Sequence, residues 1–238
     1  MSELLKINNL WGGYQEGVDI LCGISMEVQQ GETVGIIGLN GSGKSTFGKA
    51  IMNMIPIRKG EILFEGEDIT ALSTSELSHR GISIMQQGGK VFRNLSVWDN
   101  LQLAGQGIST QLAEMIPLLQ RPKRDLQHLM ADKLSGGQKH QLSLAMTLAT
   151  NPRLVILDEP SEGLSPIPLE KMYQILYDVK SKLNVTTILI EQNVVKAIEF
   201  CDKSQLLQLG IFYETFQKGD VAEVKNIMFN KFGKNGKK

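Results

Sequence analysis

The feature that most constrains the fold of this chain is the segment GLNGSGKS, which runs from Gly38 to Ser45. It follows the apolar run TVGII, which predicts a buried strand, and it leads into a segment with helical spacing. Glycines let backbone N–H groups turn inward around a phosphate, and a helix start adds its positive dipole end. The pattern therefore predicts a phosphate-binding loop between a strand and a helix, and with it an α/β fold.

The side chains of this loop have distinct predicted roles. Lys44 is expected to reach the β- and γ-phosphates of a nucleoside triphosphate, and the Ser45 hydroxyl is expected to ligate Mg²⁺. The nucleotide-binding residues predicted from this segment are Gly38, Asn40, Gly41, Ser42, Gly43, Lys44, Ser45 and Thr46.

A second motif, VILDEP, is an apolar strand that ends in two acids. Asp158 at the strand end is predicted to hold Mg²⁺, as Ser45 is. Glu159 is predicted to accept a proton from the attacking water, which makes it the main catalytic base. A kinase or a GTPase would also have these two parts, so phosphate binding alone does not name a function.

The third motif is LSGGQ, at the start of a predicted helix over 138–149. A serine and two glycines before a helix predict a second anion-binding site, although the same residues could also serve only as a helix cap. One chain would then have one complete phosphate loop and one unused anion site. Such a chain is expected to pair head to tail, with this signature acting on the partner's ATP. The signature residues are Leu134, Ser135, Gly136, Gly137 and Gln138.

The rest of the chain predicts a single domain over 1–238 in three parts. Strands alternate with helices over 1–95 and 138–224, which indicates a parallel sheet covered on both faces. The segment 96–137 has helical spacing and reads as an inserted subdomain. The residues 4–14 are expected to form an edge strand. The tail 225–238 has five lysines and no acid, and is expected to be a solvated end.

Composition narrows the class of protein. Lys+Arg 25 and Asp+Glu 25 cancel, so no overall charge favours nucleic acid as a partner. Two cysteines without metal-ligand spacing are expected to be reduced thiols. The sequence has no run of about 18 apolar residues, so any membrane spans are expected to come from partner chains.

The order of these motifs resembles that of the ATP-binding subunit of ABC transporters, from Leu4 to about Gly219. The resemblance implies a P-loop NTPase (RecA-like) core with an antiparallel β edge and an inserted helical subdomain, and it implies ATP hydrolysis with Mg²⁺. It places Tyr14 at the position that stacks on adenine. It places Gln87 in a loop that touches Mg²⁺ or water and senses the membrane subunit, and Gln192 at the catalytic switch.

Three segments narrow this resemblance: EPSEGLSP (159–166), IEQN (190–193) and GGKVFRNLSVWDNL (88–101). They look like the LivF-type ATPases of branched-chain amino-acid importers, a group similar to urea and amide importer ATPases. This implies a peripheral protein on the cytoplasmic face of the inner membrane. Its partners would be two multi-span permease subunits, a second ATPase subunit or a second copy of itself, and indirectly an external solute-binding protein. An exporter or lipid-extraction cassette, a soluble ABC ATPase without a transport role and, less favoured, a phosphotransferase stay open as alternatives.

Several positions depart from the pattern of the wider family. Gln192 stands where most members have histidine, and an amide can orient water but cannot exchange a proton near neutral pH. Ser165 replaces the usual aspartate, and Met146 replaces an arginine. Gln87 stands where LivF-like chains often have an acid. His140, in the helix after the signature, is expected on a solvated face.

Overall fold

The computed structural model of the chain describes residues 2–105 and 109–227. Its strands are β1 (Glu3–Gly12), β2 (Leu21–Gln29), β3 (Thr33–Ile37), β4 (Ile57–Phe64), β5 (Glu67–Asp68), β6 (Ile82–Met85), β7 (Leu154–Asp158), β8 (Thr186–Glu191), β9 (Lys203–Gln208) and β10 (Ile211–Gln217). Its α-helices are α1 (Lys44–Ile51), α2 (Thr74–His79), α3 (Val97–Ala104), α4 (Thr110–Met115), α5 (Lys123–His128), α6 (Gly136–Leu148), α7 (Pro166–Leu183), α8 (Val194–Phe200) and α9 (Val221–Ile227).

The larger sheet of the described residues has the strand order β10-β9-β3-β8-β7-β6. The strands from β9 to β6 in this order are parallel to their neighbours, and β10 is antiparallel to β9. All residues of β3, β7 and β8 are buried, because helices or a second sheet cover both faces. The α/β core with a parallel sheet is therefore confirmed.

The register of the central strands brings the motifs to one edge of this sheet. Ile37 at the end of β3 pairs with Glu191 at the end of β8. Asp158 at the end of β7 pairs with Ile190. Ligands of open α/β sheets bind at the carboxyl ends of the strands, so the phosphate loop, the acidic pair and the switch segment share the expected edge.

The smaller sheet has the order β2-β1-β4-β5 and is antiparallel throughout. The prediction that residues 4–14 form an edge strand was wrong, because β1 pairs with β2 on one side and with β4 on the other. An alternating pattern reports which face of a strand is buried, but it does not report how many partners the strand has. The strands β2 and β3 follow each other in sequence yet belong to different sheets.

The core has layers on both faces of the larger sheet. On one face, Ile156 and Ile188 pack in a cluster with Phe47 of α1 and with the smaller sheet. On the other face, Val155 and Leu189 belong to a cluster that includes α6, α7 and the short helices from α3 to α5. Alternate residues of one strand thus contribute to different layers, as the pleat of a strand requires.

Several boundaries differ from the sequence-based expectation. The helix α6 begins at Gly136 rather than at residue 138, because Ser135 is its N-cap. The elements β10 and α9 were not predicted, and most of the predicted tail, 228–238, lies outside the described residues. In the described part of the chain, no helix is long and apolar enough to cross a membrane.

Candidate active site

The phosphate loop lies between β3 and α1, and it holds Lys44 in a defined position. The Lys44 ammonium group donates to the carbonyl oxygens of Gly38 and Leu39, each at 3.0 Å. Burial lowers the pKa of Lys44, and this shift is opposed by the nearby carboxylates of Glu159, Asp158 and Glu191. The loop thus presents a largely buried cation, held by two backbone carbonyl oxygens, that can turn its charge to phosphate oxygens.

The hydroxyl of Ser42 is a second polar group of the loop. Its oxygen is buried, and it has no hydrogen-bond partner within the described residues. A buried hydroxyl without a hydrogen-bond partner is costly, so its presence indicates a ligand that forms the missing hydrogen bond. Gly43 forms the N-cap of α1 with φ 106°, a conformation that favours glycine. The loop geometry and the free hydroxyl both fit a bound phosphate.

Ser45 and Asp158 form a pair of oxygen ligands across the site. The Ser45 hydroxyl donates to Asp158 Oδ1 at 3.0 Å. Burial is the main cause that raises the pKa of Asp158, with a further contribution from the neighbouring Glu159. A hydroxyl and a buried carboxylate are the ligands that Mg²⁺ accepts beside a nucleotide, so the donor set fits this cation.

Glu159 follows Asp158, and two amides contact its carboxylate. Gln192 Nε2 donates to Glu159 Oε2 at 2.7 Å, and Gln87 Nε2 donates to the same oxygen at 3.2 Å. The Glu159 backbone has φ 50°, and its N–H donates to the Ile190 carbonyl at 2.9 Å. The three residues predicted as catalytic are therefore in direct contact, and Glu159 Oε1 accepts from none of these amides.

Most of the predicted site residues line one cleft of about 410 Å³, whereas Gly38, Ser42 and Asp158 are not among its lining residues. Its lining from the predicted set is Asn40, Gly41, Gly43, Lys44, Ser45, Thr46, Gln87, Glu159 and Gln192. Ile20 and Glu162 also line it and were not predicted. Glu162 Oε1 accepts from Gln87 Nε2 at 2.8 Å, so the two N–H groups of this amide are shared between Glu159 and a third acid. The EPSEGLSP motif contains Glu162, so its spacing from Glu159 was the signal available in the sequence.

Tyr14 lies at the outer side of α1 and is 50% exposed. Lys49 Nζ lies 5.4 Å from the centre of its ring and 3.3 Å from its hydroxyl. Thr46 Oγ1 lies 3.5 Å from the same hydroxyl. The exposed ring is thus adjacent to the phosphate loop, although it does not line the cleft itself.

The signature residues lie apart from this cleft. Ser135, Gly137 and Gln138 line a separate cavity of about 570 Å³ beside α7. Ser135 Oγ accepts from Gln138 N at 3.3 Å, and Gln138 Oε1 accepts from Ser135 N at 3.0 Å. This capping box uses two N–H groups of the helix start and leaves those of Gly136 and Gly137 for an anion. The structure does not bring the signature to the phosphate loop of the same chain.

The expectation for His140 was wrong. The side chain is 5% exposed, and its Nδ1 lies 2.7 Å from the Pro160 carbonyl oxygen, to which it donates. Burial lowers the pKa of His140, so the neutral ring with a proton on Nδ1 is favoured. A Cβ at Gly89 would lie 2.9 Å from the ring, so the loop of Gln87 also packs against His140. His140 therefore connects α6 to two loops, the one that follows Glu159 and the one that contains Gln87.

The arrangement as a whole can bind a triphosphate and activate a water. Lys44 and the Ser42 hydroxyl are available to phosphate oxygens, and the oxygens of Ser45 and Asp158 are suitable ligands for Mg²⁺. A carboxylate with one oxygen left for a proton lies beside them. Each of these parts is needed for phosphoanhydride hydrolysis.

Comparison with known proteins agrees with this geometry. The family described as ABC transporter matches residues 21–162. The chain is 32% identical over 202 residues to the high-affinity branched-chain amino acid transport ATP-binding protein BraG of Pseudomonas aeruginosa, covering 83% of this chain and 86% of that one. It is 30% identical to the lipopolysaccharide export system ATP-binding protein LptB of Acidithiobacillus ferridurans, with 88% of each chain covered. A crystal structure of a nucleotide-free ATP-binding cassette from an ABC transporter superposes with a TM-score of 0.80 at 26% identity, covering 95% of each chain.

Proposed function

The chain belongs to the ABC transporter family as an ATP-binding ATPase, and from this premise we propose that it drives an importer of branched-chain amino acids or a related small polar solute. It would act at the cytoplasmic face of the membrane. The observation that carries this proposal is the similarity to BraG over most of both chains. The segments EPSEGLSP and IEQN support the same subgroup.

A second candidate function is export of a lipid-like substrate. The similarity to LptB covers as much of the chain and differs by two percentage points of identity, 30% against 32%. Both functions would use the same ATP chemistry. They differ in the membrane subunits, so the partner chains decide between them.

The nucleotide would be held by the phosphate loop. Lys44 and the Ser42 hydroxyl would contact phosphate oxygens, and the exposed ring of Tyr14 is available to stack on the base. Ser45 and Asp158 would hold Mg²⁺, which supplies positive charge against the phosphates when bound.

Glu159 would accept the proton of the attacking water. The amides of Gln192 and Gln87 hold Oε2 of its carboxylate, which leaves Oε1 for the water. Gln192 can donate to the carboxylate or to a γ-phosphate oxygen but cannot take up a proton, so it orients groups rather than exchanging protons. Glu162 accepts a second hydrogen bond from the Gln87 amide and would help to hold that amide beside Glu159.

The signature of a second cassette would complete the site. Cassettes of this family work with membrane permease subunits and pair in dimers. The N–H groups of Gly136 and Gly137 are available to the partner's nucleotide. Moving a pair from mostly open to mostly closed requires roughly 5.5 kcal/mol of differential binding. Charge-assisted hydrogen bonds of about 1.5–3 kcal/mol each make this attainable with a few contacts.

The closing motion would pass to the membrane subunits beside the loop of Gln87. A groove of about 310 Å³ lies there, lined mainly by residues of α2, β6 and α6 and of the segments that follow α1 and β6. Three methionines line it, Met52, Met54 and Met146, together with Gln86 and Lys90 of the loop. Methionine side chains adapt to varied partners, and Met146 supplies such a surface where the family usually has arginine. We propose that a membrane subunit docks at this groove.

The proposal is tested by purifying the chain from native membranes in mild detergent and identifying its partners by mass spectrometry. The proposal is supported if the chain is recovered with two multi-span subunits, a second short cassette and a solute-binding protein that binds branched-chain amino acids. Recovery with lipid-export subunits would favour the second candidate. Recovery from the soluble fraction without membrane subunits would contradict both.

A further inference from the structure

A third buried carboxylate, Glu191, lies beside Asp158 and Glu159, at the end of β8. It is 2% exposed, and it is not among the residues that line the catalytic cleft. A buried carboxylate is costly unless hydrogen bonds satisfy its oxygens. The groups that donate hydrogen bonds to Glu191 therefore indicate its structural role.

One oxygen of Glu191 holds the turn that carries Gln192. Glu191 Oε2 accepts from the backbone N–H of Gln192 at 3.1 Å and from that of Asn193 at 3.3 Å. Asn193 is in turn the N-cap of α8, and its side chain accepts from Lys196 N at 3.2 Å. The carboxylate thus fixes the backbone from which the Gln192 side chain reaches Glu159.

The other oxygen holds the segment that follows Glu159. The Ser161 hydroxyl, two residues beyond Glu159, donates to Glu191 Oε1 at 2.6 Å. Ser161 is 7% exposed, so water competes little for this bond. Burial raises the pKa of Glu191, and interactions with Ser161, Asn193 and the Tyr173 hydroxyl oppose that shift by favouring the ionised form.

Both ends of the contact between Gln192 and Glu159 are therefore attached to one side chain. We propose that Glu191 is a positioning residue for ATP hydrolysis, which sets the Gln192 amide at the Glu159 carboxylate through its bonds to the Gln192 turn and to Ser161. It does not line the cleft, so it is not placed to contact the nucleotide or the attacking water directly. Its effect must therefore pass through Gln192 and appear in the rate of hydrolysis rather than in the affinity for ATP.

The test uses a double-mutant cycle, because coupling between two residues is the property that a merely structural role lacks. The variants are Glu191→Gln, Gln192→Ala and the double variant, made in the full chain. Glu191→Gln keeps the side-chain volume, weakens the bonds to the two N–H groups and removes the charge. Hydrolysis is measured under single-turnover conditions, so that slow variants stay measurable, and ATP affinity is measured by calorimetry.

We expect Glu191→Gln to lower the hydrolysis rate at least about fivefold, with ATP affinity changed less than about twofold. In the Gln192→Ala background the same change should cost less than about twofold, because the amide that it positions is already absent. An unchanged rate for Glu191→Gln would overturn the proposal. An equal loss in both backgrounds, or a loss of affinity equal to the loss of rate, would overturn it as well.

Two further variants are needed, one as a control and one as a replacement if Glu191→Gln does not fold. Glu32→Gln is the matched control, because Glu32 also accepts a backbone N–H, from Gln29 at 2.8 Å, but lies before β3 at the other end of the sheet. It should leave the hydrolysis rate unchanged. Where Glu191→Gln does not fold, Ser161→Ala removes one bond and should lower the rate with unchanged affinity, and an unchanged rate would overturn the proposal. A wild-type chain that neither binds nor hydrolyses ATP, alone and with its partner cassette, would contradict the proposed function instead.

Discussion

At the scale of single residues, the cleft places two carboxylates side by side at the end of β7 and gives them different surroundings. Asp158 is held by the Ser45 hydroxyl and is largely buried. Glu159 has two amides at one oxygen. Environments of this kind separate the roles of adjacent acids. These surroundings are consistent with the proposed roles, Asp158 as a ligand of Mg²⁺ and Glu159 as the acceptor of the proton of the attacking water.

The first prediction concerns the cost of the Asp158 charge. Its pKa is raised in the folded chain, so near neutral pH the folded state ionises Asp158 less favourably than the unfolded state does. We expect Asp158→Asn to raise the melting temperature of the nucleotide-free chain by a few degrees at pH 7. The same variant should lose Mg²⁺-dependent hydrolysis. Calorimetry and an ATPase assay measure both, and a lower melting temperature would contradict this account of the site.

The second prediction concerns His140. Its pKa is lowered in the folded state, so on acidification the unfolded chain takes up this proton before the folded chain does. The wild type should therefore lose stability between about pH 7.5 and about pH 5.5 more steeply than His140→Gln. At neutral pH His140→Gln can still donate to the Pro160 carbonyl, whereas His140→Ala should lose about 1 kcal/mol for that bond.

Denaturant titrations of the three proteins across this pH range measure both effects. Parallel pH profiles for the wild type and His140→Gln would show that the ring does not titrate in the unfolding reaction. Equal stability of His140→Ala and the wild type at neutral pH would show that the bond to Pro160 contributes nothing.

At the scale of elements, the close packing of β3 against β9 sets the position of the phosphate loop. Gly35 lies in the middle of β3, opposite Ser204. A Cβ there would lie 3.1 Å from Ser204 Cβ and 3.0 Å from Cys201 Sγ, and it would overlap the Ser204 hydroxyl. The glycine is needed at this position because of the space, since its backbone is an ordinary strand.

The third prediction follows from this contact. Gly35→Ala should lower the free energy of unfolding by about 1–3 kcal/mol, because overpacking forces shifts in a dense core. Adding Ser204→Gly removes the nearest atoms and should restore part of that loss. Urea titrations compare the two variants with the wild type. A double variant no more stable than Gly35→Ala would show that the overlap with Ser204 is not the cause.

The sequence predicted some parts of the site and not others, for identifiable reasons. The phosphate loop and the pair Asp158–Glu159 were placed correctly at the sheet edge, because each is a short motif fixed by its own strand and turn. The burial of His140 was missed, because α6 is buried on several faces and helical periodicity then gives no direction. The interior position of β1 was also missed, because pairing depends on residues far along the chain.

At the scale of the whole molecule, the chain has one complete phosphate site and one separate signature. The cleft of Lys44 and the cavity of Ser135 do not share lining residues in the described structure. The single chain does not bring the predicted signature to its own phosphate loop. Pairing of two cassettes about a twofold axis would join each half with its complement.

This pairing is the central claim, and the most direct test is the mass of Glu159→Gln in solution with ATP and Mg²⁺. The variant can bind ATP but lacks the base, so it should stay closed. Light scattering should give about twice the chain mass of 26.3 kDa, for this chain alone or with its partner cassette. Adding Ser135→Arg, which blocks the signature, should return the variant to the monomer mass. A Glu159→Gln variant that stays monomeric with ATP, with and without the partner, would contradict the account.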